Sequence, residues 1–359
     1  MIIIYAFIGD LHLGVKLPQI DYLKSLNKFF DIIKGHKEEC KCIFVIGDLF
    51  DHKLTIDEAK FAAMFMVNLV CNNCGRTRQH VPVHFIHGTF SHDNEQYEIF
   101  LPMLEKLPNT EIYYTKTASS GILSDGSRVL YLPQEYGSID YTQAFSESYD
   151  IIVGHGPVSS ETKAPCKSTQ YEILHSAEQL GSISKICVFG HYHGYTDFGN
   201  NVFYTGPWLR WKYGEDEPRV FFICNDRFEP ETFPNEFALE FETVHVYSAE
   251  ELRTEISKEI NNPHRFIIHC NNVSELFEYH AIMNAYKKNQ FLKYQMVKDA
   301  NYEESPYELK PVDDTTPTVV VEPVPALIEF VKEKYNIDVT EEVSEYESKI
   351  NRDRKEDTE

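Results

Sequence analysis

Short apolar runs in this chain repeatedly stop at a glycine beside an aspartate or histidine, and that coincidence narrows the possible folds sharply. Ile8-Gly9-Asp10-Leu11-His12 closes the first run, Ile46-Gly47-Asp48 the second, and Gly88-Thr89-Phe90-Ser91-His92-Asp93 the third. Gly154-His155-Gly156 and Gly190-His191-Tyr192-His193-Gly194 come further on. The runs at 2–8, 42–46, 83–87, 129–132, 151–153 and 186–189 have the length and apolar character of short buried strands. Helix-like segments at 57–70 and 97–107 lie between them, and more strand signals appear at 203–204 and 220–224. This order predicts an α/β sandwich with helices outside. In open α/β sheets ligands bind beyond the carboxyl ends of strands, so the five polar loops are expected to share one crevice.

The texture changes after residue 237. Strand-like 243–247 and 265–270 alternate with helical 249–260 and 274–284, which predicts a small α+β second domain over 238–300. Residues 301–325 are rich in Pro, Asp, Glu and Thr without periodicity, as expected of a linker. Within 326–359, Leu327, Ile328, Phe330 and Val331, then Val339, Val343, Tyr346 and Ile350, fall at helical spacing on a charged background. The first domain is therefore 1–237, succeeded by the small domain, the linker and a helical tail.

With 42% hydrophobic and 13% aromatic residues among 359, the chain can bury a real core. Its N-terminal apolar run is too short to span a bilayer and lacks the flanks of a signal peptide, so it is expected to be a strand of an intracellular, cytoplasmic protein. Eight cysteines in a chain of this size do not make a disulfide framework. Cys40, Cys42, Cys71 and Cys74 can be grouped as a four-thiolate zinc site, but the first pair lacks the usual two-residue gap. The net charge of -22 opposes nucleic-acid binding by this chain alone. Residues 301–359 hold 17 of the acidic residues and only 7 basic ones, yet the remainder is still acidic. A DNA partner would require positive charge from metals or another subunit.

The polar loops carry the chemistry. Asp10 and His12, two apart, project to one side of an extended segment, as do His191 and His193. Mixed imidazole and carboxylate ligands suit Mn²⁺, Fe²⁺ or Zn²⁺ better than Ca²⁺ or Mg²⁺ alone. Two such ions sharing a carboxylate make the clamp used in phosphoryl displacement. Any single Gly-Asp or Gly-His is most often a plain turn; five in order are harder to explain that way.

GDLHLG, GDLFD, the GTFSHD loop, GH and GHxH, in this order over residues 1–225, resemble the five motifs of calcineurin-like metallophosphoesterases. GDLHLG, GDLFD in place of GDxVDRG, and TGPWLRWKYGEDEPRVFF after the last motif are similar to SbcD-type nuclease subunits, including those of tailed phages. The resemblance implies that 1–237 is a nuclease domain built as a metallophosphoesterase β-sandwich flanked by helices. It assigns Asp10, His12 and His193 to one metal, His155 and His191 to the other, and Asp48 as bridge, with manganese the expected metal and Mg²⁺, Fe²⁺ or Zn²⁺ as alternatives. His92, oriented by Asp93, would stabilise the transition state or protonate the leaving oxygen. The family's third motif reads GNHD, and its asparagine ligand is missing here; Ser91, Thr89 or water are the candidate substitutes. Asp51 and His52 also depart from the usual histidine after GDLF.

By the same resemblance 238–300 corresponds to a capping domain. The stripe of Leu327, Ile328, Phe330 and Val331 corresponds to a segment that docks on an SbcC-like coiled-coil ATPase, with an amphipathic helix folding back on its own domain as the plain alternative. Arg210, Lys212 and Arg219 are candidates for DNA phosphate contact, with a solvated strand face as the plain alternative. Trp208, Trp211 and Tyr213 are expected first as packing aromatics and second as walls of the site. A homodimer through 22–33 or 57–70, a DNA substrate and a host-cytoplasm location if phage-encoded complete the implied picture. The rivals are a phosphatase or phosphodiesterase with another substrate, and a scaffold that has lost its chemistry.

Overall fold

Period-two alternation in the first two strands sorts their side chains between two different cores. The computed structural model describes residues 3–15, 17, 19–36, 39–72, 80–161, 172–215, 217–258, 264–286 and 292–303. The chain divides into two units, Met1–Ala300 and Asn301–Glu359. Residues 304–325 of the expected linker and the partner-binding stripe lie outside the described residues, while 301–303 are strand.

The first half runs β1 (Ile3–Ile8), α1 (Gln19–Gly35), β2 (Glu39–Ile46), α2 (Ile56–Val70), β3 (Val83–Ile86), α3 (Phe90–Asp93), α4 (Tyr97–Leu104) and β4 (Ile112–Thr115). After it come β5 (Ser119–Ile122), β6 (Arg128–Leu132), α5 (Thr142–Phe145), β7 (Tyr149–His155), β8 (Val158–Ser159), β9 (His175–Ser176) and α6 (Ala177–Ile183). The sandwich ends with β10 (Ser184–Gly190), β11 (Thr196–Gly199), β12 (Val202–Tyr204), β13 (Val220–Asn225) and β14 (Pro230–Pro234). Two six-stranded sheets result, ordered β14-β13-β1-β2-β3-β4 and β11-β12-β10-β7-β6-β5. In the first, β1 through β4 run parallel; in the second, β6, β7, β10 and β12 do.

Tyr5, Phe7, Phe44 and Ile46 from the first sheet meet Ile151, Val153, Ile186 and Val188 from the second in a shared core. The alternate residues Ile4, Ala6, Ile8, Ile43 and Val45 pack outward beneath α1, α2 and α4. On the far side Ile152, Cys187 and Phe189 pack with Leu180 of α6. The result is helix, sheet, sheet, helix, the α/β sandwich that the sequence predicts. Apolar residues facing both ways explain why the central strands are continuous hydrophobic runs.

Cys40 and Cys42 belong to opposite faces of β2, one in the helix-side core and one between the sheets. They cannot both ligate one ion, which removes the four-thiolate grouping; Cys74 lies outside the described residues. After residue 237 the chain builds its own sheet from β15 (Glu242–Val246), β16 (His264–Asn272) and β17 (Leu292–Glu303), with α7 (Ala249–Ser257) and α8 (Val273–Ala285), so its last strand runs three residues past the expected boundary at 300. Up to Ala300 this segment clusters with the sandwich in a single unit. Arg210 joins the two by donating to the carbonyls of Ala238 and Leu239, while Tyr213 packs against Phe241.

Candidate metal centre

The parallel strands β1, β2, β7 and β10 end at one edge of the sandwich, and Asp10, His12, Asp48, His155, His191 and His193 sit at or just beyond those ends. His191 N–H donates to Asp10 Oδ1 at 2.7 Å, tying a loop of one sheet to a loop of the other. Asp10, His12 and His193 place ligand atoms within 4.8 Å of one another, and so do Asp48, His155 and His191. The backbone is strained locally by this convergence: Asp10, His12, Asp48 and His191 have φ of 49°, 47°, 42° and 110°. Non-glycine residues seldom adopt this region, and such strain gathers at functional sites.

The imidazoles are oriented from behind. His12 Nδ1 lies 3.3 Å from Asp51 Oδ1, His193 Nδ1 3.1 Å from Glu215 Oε1, and His155 Nδ1 2.9 Å from the Ile46 carbonyl. Each Nδ1–H donates outward, leaving Nε2 for a ligand, the usual arrangement behind metal-binding histidines. Among the described residues the buried His12 Nε2 and Asp10 Oδ2 have no hydrogen-bond partner, and His12 Nε2 lies 3.7 Å from Asp48 Oδ2. Orphaned buried polar atoms are costly, and a divalent cation satisfies both. The donor set therefore fits a pair of divalent ions.

Several roles differ from those the motifs imply. Asp93 does not orient His92: its carboxylate accepts from the N–H groups of Gly88 and Phe50 at 2.7 and 3.2 Å and is fully buried. It therefore pins the third loop. His92 instead bonds through Nδ1 to the Asp51 carbonyl, and its ring meets that of His12 edge-on at 4.6 Å. Ser91 is exposed, whereas Thr89 donates its N–H to Asp48 Oδ1 at 2.6 Å and holds its hydroxyl 3.1 Å from Asp48 Oδ2. Thr89, not Ser91, is the loop's oxygen at the site.

Arg219 is also corrected. Its guanidinium is buried against Glu215 Oε2 at 2.9 Å and the His193 carbonyl, so it is committed within the protein. Arg210 directs its donors at main-chain carbonyls, so of the three cationic candidates Lys212 is the exposed one. Trp208 is a core residue packed on Phe29 and Phe221. Trp211 does wall the site, with its ring 4.0 Å from His12 and 4.1 Å from His193. The motifs carry no signal for Gln134 and Glu172; Glu215 and Arg219, four apart in GEDEPR, carry a weak one.

Burial dominates the electrostatics. It raises Asp10, with His155 pulling the other way. Burial also pushes Asp48 up, but His155, then His12 and His92, outweigh it and hold this carboxyl well below the usual range. Burial would lower His155, yet Asp48 and then Asp10 raise it to about 9. His191 falls to about 4 through burial and the neighbouring His155. A divalent cation bound among such groups displaces the protons that its ligands hold.

No family model matches the chain. Over 82 residues it is 33% identical to UDP-2,3-diacylglucosamine hydrolase of Shewanella loihica, a match covering 23% of this chain and 30% of that protein. The chain thus spans less than a third of the relative's length, and the likeness is to a hydrolase. A solved crystal structure aligns over 66% of this chain and 100% of its own at a TM-score of 0.40 and 11% identity, a general likeness that decides nothing about function.

Proposed function

We propose that this chain is a two-metal phosphoesterase whose substrate is the DNA backbone, acting as the nuclease subunit of an SbcCD-like end-processing complex. The observation that carries the hydrolase reading is the outward-bonded set of His12, His155 and His193 around the unpartnered Asp10 Oδ2 and His12 Nε2. Asp10, His12 and His193 would hold one cation, and Asp48, His155 and His191 the other. When bound, the cations polarise phosphate oxygens and acidify a water. Asp51 and Glu215 keep His12 and His193 in the tautomer that offers Nε2. His92, anchored at Nδ1 by the Asp51 carbonyl, would be the group that passes a proton to the leaving oxygen. Trp211 covers one flank of the histidines.

The DNA assignment is supported by the sequence details around GDLFD and TGPWLRWKYGEDEPRVFF and by the additional sheet after residue 237. An acidic chain with Arg210 and Arg219 turned inward needs a partner to hold DNA, which suits a coiled-coil ATPase docking on the stripe around Leu327, Ile328, Phe330 and Val331. The local match favours a second reading, a hydrolase of a smaller phosphoester.

Labelled double-stranded DNA and bis-p-nitrophenyl phosphate, each with Mn²⁺, separate the readings. The wild-type chain is expected to cleave both, with Asp48→Ala reduced to background and His92→Ala slowed about 10²–10⁴-fold. Cleavage of the small diester alone would move the substrate away from DNA. No cleavage with Mn²⁺, Mg²⁺, Fe²⁺ or Zn²⁺ would leave a scaffold.

A further inference from the structure

Thr89 stands at the N-cap of α3, yet its hydroxyl makes no capping bond. Threonine at an N-cap ordinarily accepts from a backbone N–H of the first turn. Here the hydroxyl turns away from the helix into the metal cluster. Its oxygen lies 3.1 Å from Asp48 Oδ2, 3.1 Å from Gln134 Oε1 and 3.4 Å from His155 Nε2. Two acceptors, Asp48 Oδ2 and Gln134 Oε1, share a single hydroxyl proton. One of them is left facing an oxygen lone pair, an arrangement that a cation relieves.

The second acceptor is held in place by its own partners, and it belongs to Gln134. This side chain is buried, and its Nε2 donates to Glu172 Oε1 at 2.7 Å, which fixes the amide so that Oε1 faces Thr89. Its backbone N–H is held by the His87 carbonyl at 3.1 Å. Glu172 in turn lies 4.0 Å from His191 Nε2, so the chain Thr89, Gln134, Glu172 closes back on the cluster. Whichever of Asp48 Oδ2 and Gln134 Oε1 takes the hydroxyl proton, Thr89 Oγ1 keeps a lone pair within reach of the position that Asp48 and His155 border.

Resting on the reading that Asp48, His155 and His191 hold a cation, we propose that Thr89 Oγ1 is a further ligand of that ion, with Gln134 and Glu172 as its positioning residues. A threonine hydroxyl is a neutral hard oxygen, a donor type that binds divalent cations elsewhere. The donor set becomes one carboxylate, two imidazoles and one hydroxyl.

The test counts manganese without any turnover. Equilibrium dialysis with Mn²⁺, together with the electron paramagnetic resonance signature of a coupled pair, is measured for wild type, Thr89→Val, Thr89→Ala, Thr89→Ser and Ser91→Ala. Wild type, Thr89→Ser and Ser91→Ala are expected to bind two ions as a coupled pair. Thr89→Val should bind one ion normally and the second at least about tenfold more weakly, in the range by which substitutions around metal sites weaken them. Thr89→Ala, without the branch, must show the same loss, which covers a folding failure of the valine variant. Two ions bound with wild-type affinity by both hydroxyl-free variants overturns the inference alone. Failure of the wild type to bind a pair overturns both it and the metal reading.

Discussion

Side chains that never touch a candidate metal position decide how the histidines of the site are held. Glu215 accepts from His193 Nδ1, from the Trp211 N–H at 3.0 Å and from Arg219 at 2.9 Å. Burial opposes its charge, but these three partners prevail and lower it to about 2. Arg219 is buried along with Glu215, so removing either leaves a charge without compensation. Breaking a buried pair by deleting one partner typically costs about 3–5 kcal/mol. Urea denaturation of Glu215→Ala and Arg219→Ala is expected to show losses of that order. The double variant should lose much less than the sum, since the second deletion removes the stranded charge. Additive losses would mean that the two side chains do not stabilise one another.

The loops between elements succeed because glycines let strands end close together. A Cβ on Gly88 would collide with the backbone nitrogen and Oδ1 of Asp48. Neither the backbone nor a carboxylate already bonded to Thr89 can yield cheaply. Gly88→Ala is therefore expected to cost about 1–3 kcal/mol or more and to weaken manganese binding, as read by a melting curve and dialysis together. A variant with wild-type values in both would show that the third loop has slack. The elements legible in the sequence are those buried on both faces, such as β1, β2, β7 and β10. The strands without a clear signal, β4, β5, β14 and β17, are all sheet edges. Edge residues alternate with solvent, as in β14, where four of five are exposed, and so leave no apolar run. The same limit applies to the site: Asp10, Asp48 and His155 are legible because a strand end and a glycine flag them. Gln134 and Glu172 follow no such pattern, and Asp93 misleads because adjacency to His92 in sequence does not aim its carboxylate.

Both sheets together hold each candidate cation, which couples the metal centre to the stability of the molecule. Asp10 and His12 follow β1 and join His193 after β10, while Asp48 follows β2 and joins His155 and His191. Unfolding either sheet destroys both sets, so a bound cation stabilises the sandwich as a unit. An ion present at about 100 times its dissociation constant contributes about 2.7 kcal/mol if the unfolded chain does not bind it. In a domain of this size that corresponds to a rise of several degrees in melting temperature. Calorimetry with Mn²⁺ against chelator should show this rise in the wild type, unchanged in Lys212→Ala and reduced in Asp48→Ala, which leaves only the Asp10, His12 and His193 set whole. The shape of the transition tests the coupling further. Arg210 and Tyr213 tie the sandwich to Ala238, Leu239 and Phe241, and Arg265 of β16 stacks over Tyr213 with its guanidinium carbon 4.8 Å from the ring centre. These links lie beside the loop that supplies Trp211 and Glu215, so the small sheet should melt in the same step as the metal centre. A single metal-shifted transition is the expected trace; a separate transition that ignores Mn²⁺ would mean that the segment after residue 237 folds on its own.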